Sequence, residues 1–221
     1  MDRLLTARTE GAGEPERPGS RSERTRAAAL AAAEALFAER GFAETRLEDV
    51  AAAVGIRRAS LFYYWPDKHA LYDAVLADVF GEQRRRLEPV LLGPGGLHDR
   101  AIAAVEVWID SLAARPTTAR ILLREVADGR AGYEPPLVRH TRAFFELVGE
   151  ALARSGGDVL AQADPVDPVH LAAVVTGATV FYIAAMPALL PGLGFDPFEP
   201  SRLAAFKREL TDTVRRLLGV A

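Results

Sequence analysis

The sequence predicts an all-α fold, and three observations carry that expectation. Alanine, leucine, glutamate and arginine dominate, with 40 alanines among 221 residues, and these are strong helix formers. Apolar residues recur at three- and four-residue spacing between Gly and Pro punctuation. No stretch alternates apolar with polar residues as a half-buried strand would, and no repeat period is present. The length allows one large domain or two modest ones with a real core. The absence of cysteine excludes a disulfide framework, thiolate metal ligation and a cysteine nucleophile, and it points to a reducing, cytoplasmic setting.

Taken in order, residues 1–21 mix Gly11, Gly13, Pro15, Pro18 and Gly19 with charges. They offer too little apolar surface to offset ordering, so a disordered arm is expected, and without an apolar h-region it does not read as a secretory signal. The first helix is expected from Ser22 to about Arg40, with Leu30, Ala33, Leu36 and Phe37 on its apolar side. Gly41 followed by Phe42 suggests a left-handed C-terminal cap.

Thr45 and Glu48 have the spacing of a capping box, which would open a second helix over Leu47 to Val54. Ala51 is small enough to let another helix cross closely, and Gly55 can take the positive φ of a sharp turn. A third helix, about Arg58 to Tyr64, completes a helix-turn-helix over residues 22–68. In that motif the second helix of the pair enters the major groove. With Leu61 and Tyr64 turned inward, Arg57, Arg58, Ala59, Ser60 and Tyr63 face outward; Arg can bridge guanine O6 and N7, Ser can donate or accept, and Ala can touch a thymine methyl. Thr45, Arg46 and Tyr64 complete the candidate DNA contacts with Lys68, which follows the N-cap candidate Asp67 and could hold a phosphate beside free amides.

A connecting helix is expected over 67–92, then helices over Leu97 to Ala114, Thr117 to Ala127, Pro136 to Arg154 and Ser201 to Leu218. Leu171 to Leu190 is an uncharged run of 20 residues, long enough at 1.5 Å per residue to cross a bilayer. Its flanks are Asp167 and Asp196 rather than Lys or Arg, so a buried or subunit-facing helix is the preferred reading. A membrane-associated or helical adaptor role for this segment is the alternative.

The run from Arg24 to Val79 resembles the N-terminal domain of the tetracycline-repressor-like (TetR) family of transcriptional regulators. The resemblance rests on the alanine-rich first helix, Gly41-Phe42, Thr45, Val50-Ala51, Val54-Gly55-Ile56, Leu61-Phe62-Tyr63-Tyr64-Trp65 and Lys68, in that order. It departs from the family at Arg57, where Ser or Thr usually opens the recognition helix, and at Phe62, where Tyr is common. It implies a homodimer on a palindromic double-stranded DNA operator, with 69–221 forming an effector-binding and dimerisation body. The dimer would pair helices 171–190 and 201–218. A small-molecule effector would bind between the middle helices and alter head separation, giving a ligand-responsive regulator, expected to be a repressor.

Candidate effector-pocket residues are Trp108, Arg124, His140, Phe144, Thr179 and Tyr182, with Arg120 beside them. Each has a plainer role too: Trp108 and Phe144 as core, Arg120 and Arg124 paired with Glu125 or Asp128, and His140 solvated or hydrogen-bonded. No metal spacing links the four histidines, no serine sits in a nucleophile elbow, and Gly93-Pro94-Gly95-Gly96 lacks the strand and Lys-Ser/Thr of a phosphate loop. No catalysis, cofactor or metal is therefore expected. The net charge of −3 argues against nucleic acid at first sight, and positions 20–68 hold only eight basic against seven acidic residues. Facing then matters more than sum, and binding should depend on dimeric site geometry more than bulk attraction.

Overall fold

The computed structural model describes residues 21–127, 136–154 and 167–219; positions 1–20 of the expected arm lie outside them, and its last residue, Arg21, opens the first helix. Among the described residues the chain is helical with no strand. Helix α1 spans Arg21–Glu44, α2 Leu47–Ala53, α3 Arg58–Phe62, α4 Lys68–Leu91, α5 Leu97–Ala114 and α6 Pro116–Ala127. They are followed by α7 Pro136–Ala153, α8 Pro168–Val180, α9 Met186–Leu189 and α10 Pro200–Leu217.

Gly41 bends α1 instead of capping it. Its φ of 81° with ψ of 173° lies in a region open essentially to glycine alone, and the extended ψ distinguishes it from the expected left-handed cap. A helical turn follows the bend, reaching Glu44. Thr45 then stabilises the bend, since its buried hydroxyl lies 2.8 Å from the Gly41 carbonyl and 3.2 Å from that of Leu36. The expected capping box is absent. Arg46 is the N-cap of α2 without a side-chain bond, because the Thr45 hydroxyl is already used inside the head.

Two apolar cores share α4. The first gathers Ala33 and Phe37 of α1, Val50 and Ala51 of α2, Leu61 of α3, Trp65, and Leu71 to Val79 of α4, together with Ile121 of α6. The second joins Leu87 and Leu91 of α4 to Trp108, Ile109 and Leu112 of α5, Leu122 of α6, Leu147 of α7, Val175 of α8 and Val214 of α10. Phe80 packs against both. At 1.5 Å per residue, the 24 residues of α4 run about 36 Å from the base of the head into the body. Asp67 caps α4 as the sequence suggests, accepting from the Ala70 amide at 2.8 Å.

The uncharged run is not one regular helix. Helix α8 passes through a π-helical turn, Phe181–Ala185, before α9. Pro187 supplies the reason, because it lacks an N–H and its ring crowds the carbonyl four residues earlier, so the ladder shifts register. Val169–Leu189 is long and apolar enough to cross a membrane by length and composition, and only 22% of that window is buried within the protomer. Val169, Val174, Phe181 and Leu189 stand exposed along it.

Candidate DNA interface

The turn between α2 and α3 is closed by hydrogen bonds from Gly55 N–H to Ala52 O at 3.2 Å and from Ile56 N–H to Ala51 O at 3.0 Å. That pair is a Schellman motif, and it needs the φ of 68° that Gly55 adopts. A Cβ at Gly55 would meet nothing within 4 Å, so the requirement for glycine is conformational and not steric. The turn aims α3 outward. Leu61, 1% exposed, anchors α3 to the first core, while Arg57, Arg58, Ala59 and Ser60 are all exposed and Tyr63 is 81% exposed.

The Arg57 guanidinium has no partner among the described residues, whereas that of Arg58 lies 2.6 Å from Glu48 of α2 and 5.4 Å from the centre of the Phe62 ring. Glu48 is expected from its spacing to cap its own helix; freed of that role, it holds an exposed arginine of α3. Arg40 is similarly held by Asp49 at 2.9 Å. The outward face of α2 and α3 is thus a set of cations partly restrained by local carboxylates, and exposed pairs of this kind exchange readily because each is worth little in water. Arg46 is exposed at the start of α2.

Three of the sequence candidates serve the scaffold. Thr45 is 1% exposed and points inward, so its side chain is not available to a duplex. Tyr64 is half-buried, and its hydroxyl lies 3.0 Å from Ser22 Oγ and 3.2 Å from Ser22 O, tying α3 to the start of α1. Lys68 turns back to donate to Ala43 O at 3.0 Å and Thr45 O at 2.9 Å, with its ammonium 4.4 Å above the Phe42 ring. Burial lowers its pKa, with the Glu44 charge opposing. The ammonium therefore braces the turn after Gly41, correcting its expected role as a phosphate anchor. Lys68→Ala is expected to lower the melting temperature of the head while leaving the salt dependence of DNA binding unchanged. Loss of about one unit of salt slope without destabilisation would restore the phosphate role.

Residues 29–75 match the family model for bacterial regulatory proteins of the tetR family. The HTH-type transcriptional regulator RutR of Escherichia coli K12 is 31% identical over 163 residues, covering 70% of this chain and 72% of the relative. The chain belongs to the TetR family of transcriptional regulators. It is a DNA-binding regulator built on a helix-turn-helix. The fold likeness extends through the body. The fatty acid degradation regulator FadR of Bacillus halodurans aligns with a TM-score of 0.65 at 15% identity, covering 88% of this chain and 98% of that one. AibR, solved with isovaleryl coenzyme A and operator DNA, aligns with a TM-score of 0.64 at 16% identity, covering 90% and 100%.

In this TetR-family regulator the second core brings together only some of the candidate effector residues. Trp108 stands 6.3 Å from Phe144, ring to ring, and Tyr182 stacks on Phe206 at 3.9 Å. The Trp108 indole N–H and the Tyr182 hydroxyl are buried without partners among the described residues, and burial raises the Tyr182 pKa. Thr179 is self-satisfied, bonding back to Val175 O at 2.7 Å. His140 joins α7 to α4 instead, with Nε2 3.2 Å from Asp73 and its ring stacked on Phe80. Arg124 turns away from the second core and donates to Ala38 O at 3.0 Å and to Glu39 O at the bend of α1. Arg120 is exposed. Glu125 meets the Tyr72 hydroxyl rather than an arginine. The sequence reading missed Gln83, Ser111 and Thr118, whose buried side chains each carry an oxygen without a partner; single polar residues in apolar helices leave no periodic signal.

Proposed function

We propose that this regulator acts in the cytoplasm as a homodimeric, ligand-responsive repressor on a palindromic operator, without catalytic activity. The observation that carries the reading is the face of α3: Arg57, Arg58, Ala59, Ser60 and Tyr63 are exposed together on a helix held by the buried Leu61. Arg57 and Arg58 would read base edges, Arg46 would meet the backbone, and two copies of α3 would have to stand about 34 Å apart to enter successive major grooves. Sequencing genomic fragments retained by the purified protein, then titrating the enriched site across salt concentrations, tests this. Enrichment of a two-fold-symmetric site supports the reading, and retention of every fragment alike would sink it.

The apolar surface of α8 and α9 favours a second copy as its cover, with α10 completing a four-helix interface. Phe181→Asp is then expected to give a monomer by sedimentation and to weaken operator binding by about 10²-fold or more through loss of the second head. A variant that stayed dimeric, or a wild-type protein that floated with lipid vesicles, would refute this interface. Support for an effector site in the second core comes from the unpartnered Trp108 N–H and Tyr182 hydroxyl among apolar walls, where a small molecule with polar atoms would satisfy them. Isovaleryl coenzyme A, the ligand of AibR, is a first compound to test for release of the operator.

A further inference from the structure

Arg115 occupies the corner between α5 and α6, and its side chain gathers carboxylates from two other helices. It forks onto both oxygens of Glu34 in α1, the Nε contact being 2.8 Å, and reaches Asp78 and Glu82 in α4 at 2.7 Å each. Thr117 also donates to Glu34. Glu34 is only 7% exposed, so its charge depends on these partners in place of water. The corner itself is stiff. Pro116 restricts the preceding residue, and the Arg115 backbone is bonded on both sides, its N–H to Ser111 O at 3.1 Å and its carbonyl to Thr118 N–H at 3.0 Å.

Nine residues further along, α6 holds α1 a second time. Arg124 donates to the Ala38 and Glu39 carbonyls, which lie where α1 bends and carry the partial negative charge of a helix end. The two holds meet α1 about one turn apart, at Glu34 and at Ala38. Between them, Ile121 of α6 enters the first core while Ala119 and Leu122 enter the second. Helix α6 is therefore in contact with both halves of the protein and is fixed to the head by directional, charge-assisted bonds.

We propose that Arg115 and Arg124 are positioning residues that latch the DNA-binding head to α6, so that the angle of the head is set at the α1–α6 contact as well as through the connecting helix α4. A displacement of α6 within the second core must then turn α1 or break these bonds. The hydrogen bonds to Glu34 hold the Arg115 guanidinium charged well beyond its ordinary range, and burial alone would raise the Glu82 carboxyl but the Arg115 and Arg86 bonds outweigh it and hold it low. Arg115 and Glu82 therefore stay ionised at neutral pH.

The chain has no cysteine, so spin labels can be placed at Ala52→Cys on α2 and Arg142→Cys on α7, both exposed. Dilution with unlabelled protein isolates the distance within one chain, and no DNA is needed, so the outcome is independent of the operator reading. The head-to-body distance distribution is expected to be narrow in the parent and roughly to double in width in Arg124→Gln and in Arg115→Lys, which keeps the charge but loses the fork. Arg120→Gln, exposed on the same helix, should leave it unchanged. Where Arg115 variants fail to fold because Glu34 is stranded, the paired change Arg115→Leu with Glu34→Leu removes the latch without leaving a buried charge. Unchanged widths in Arg124→Gln and in the paired variant, with helix content intact, would overturn the proposal.

Discussion

Phe37→Ala is expected to destabilise the head by about 3–5 kcal/mol, enough to unfold it at ordinary temperature or leave it marginal. Phe37 is 1% exposed and sits at the centre of the first core, 4.7 Å from the Tyr72 ring and 6.1 Å from that of Phe42. Phe37 precedes the Gly41 bend, Phe42 follows it and Tyr72 comes from α4, so the truncation opens a cavity where three segments meet. The measurement is denaturant unfolding followed by Trp65 fluorescence in a Trp108→Phe background, which leaves the head as the sole emitter because the chain has two tryptophans. The Trp65 transition should move to lower denaturant and DNA binding should be lost. A shift of less than about 1 kcal/mol would mean that the core collapses around the site and that Phe37 is not central to it.

Replacing both Arg57 and Arg58 with alanine should cost about 10²-fold or more in operator affinity while leaving thermal stability unchanged. Each base-reading arginine is worth about 1–3 kcal/mol of discrimination, and both side chains are exposed, so no core is disturbed. The single variants should differ in character. The Arg57 side chain has no partner among the described residues, whereas Arg58 would have to leave Glu48 or carry it along to meet DNA. Arg57→Ala should therefore show the larger loss, and Glu48→Gln should raise affinity for unrelated DNA by removing a charge that repels phosphate. Equal affinity for specific and unrelated DNA in the parent protein, or no loss in the double variant, would refute the assignment of α3 as the reading helix.

Helix ends set by local chemistry were legible. Asp67 accepts from the Ala70 amide, Gly55 takes positive φ, and Pro116 opens α6 after the last turn of α5. The outward set on α3 was legible for the same reason, since one buried leucine on a short helix determines which neighbours face out. Side chains with several available partners were not. Thr45 and Glu48 have the spacing of a capping box, yet Thr45 bonds the Gly41 bend and Glu48 meets Arg58 across a helix pair. Lys68 follows a helix start, yet its donors go to carbonyls more than twenty residues earlier.

By itself the sequence determined the all-α class, the helix-turn-helix and the outward side of α3, since periodicity, glycine conformation and end-capping act within a few residues. Tertiary structure decided what the long charged side chains do. Arg115 finds Glu34 from 81 residues away and Arg124 finds Ala38 from 86. A guanidinium on a flexible stem can satisfy any of several acceptors, and its choice depends on which helices the cores bring together.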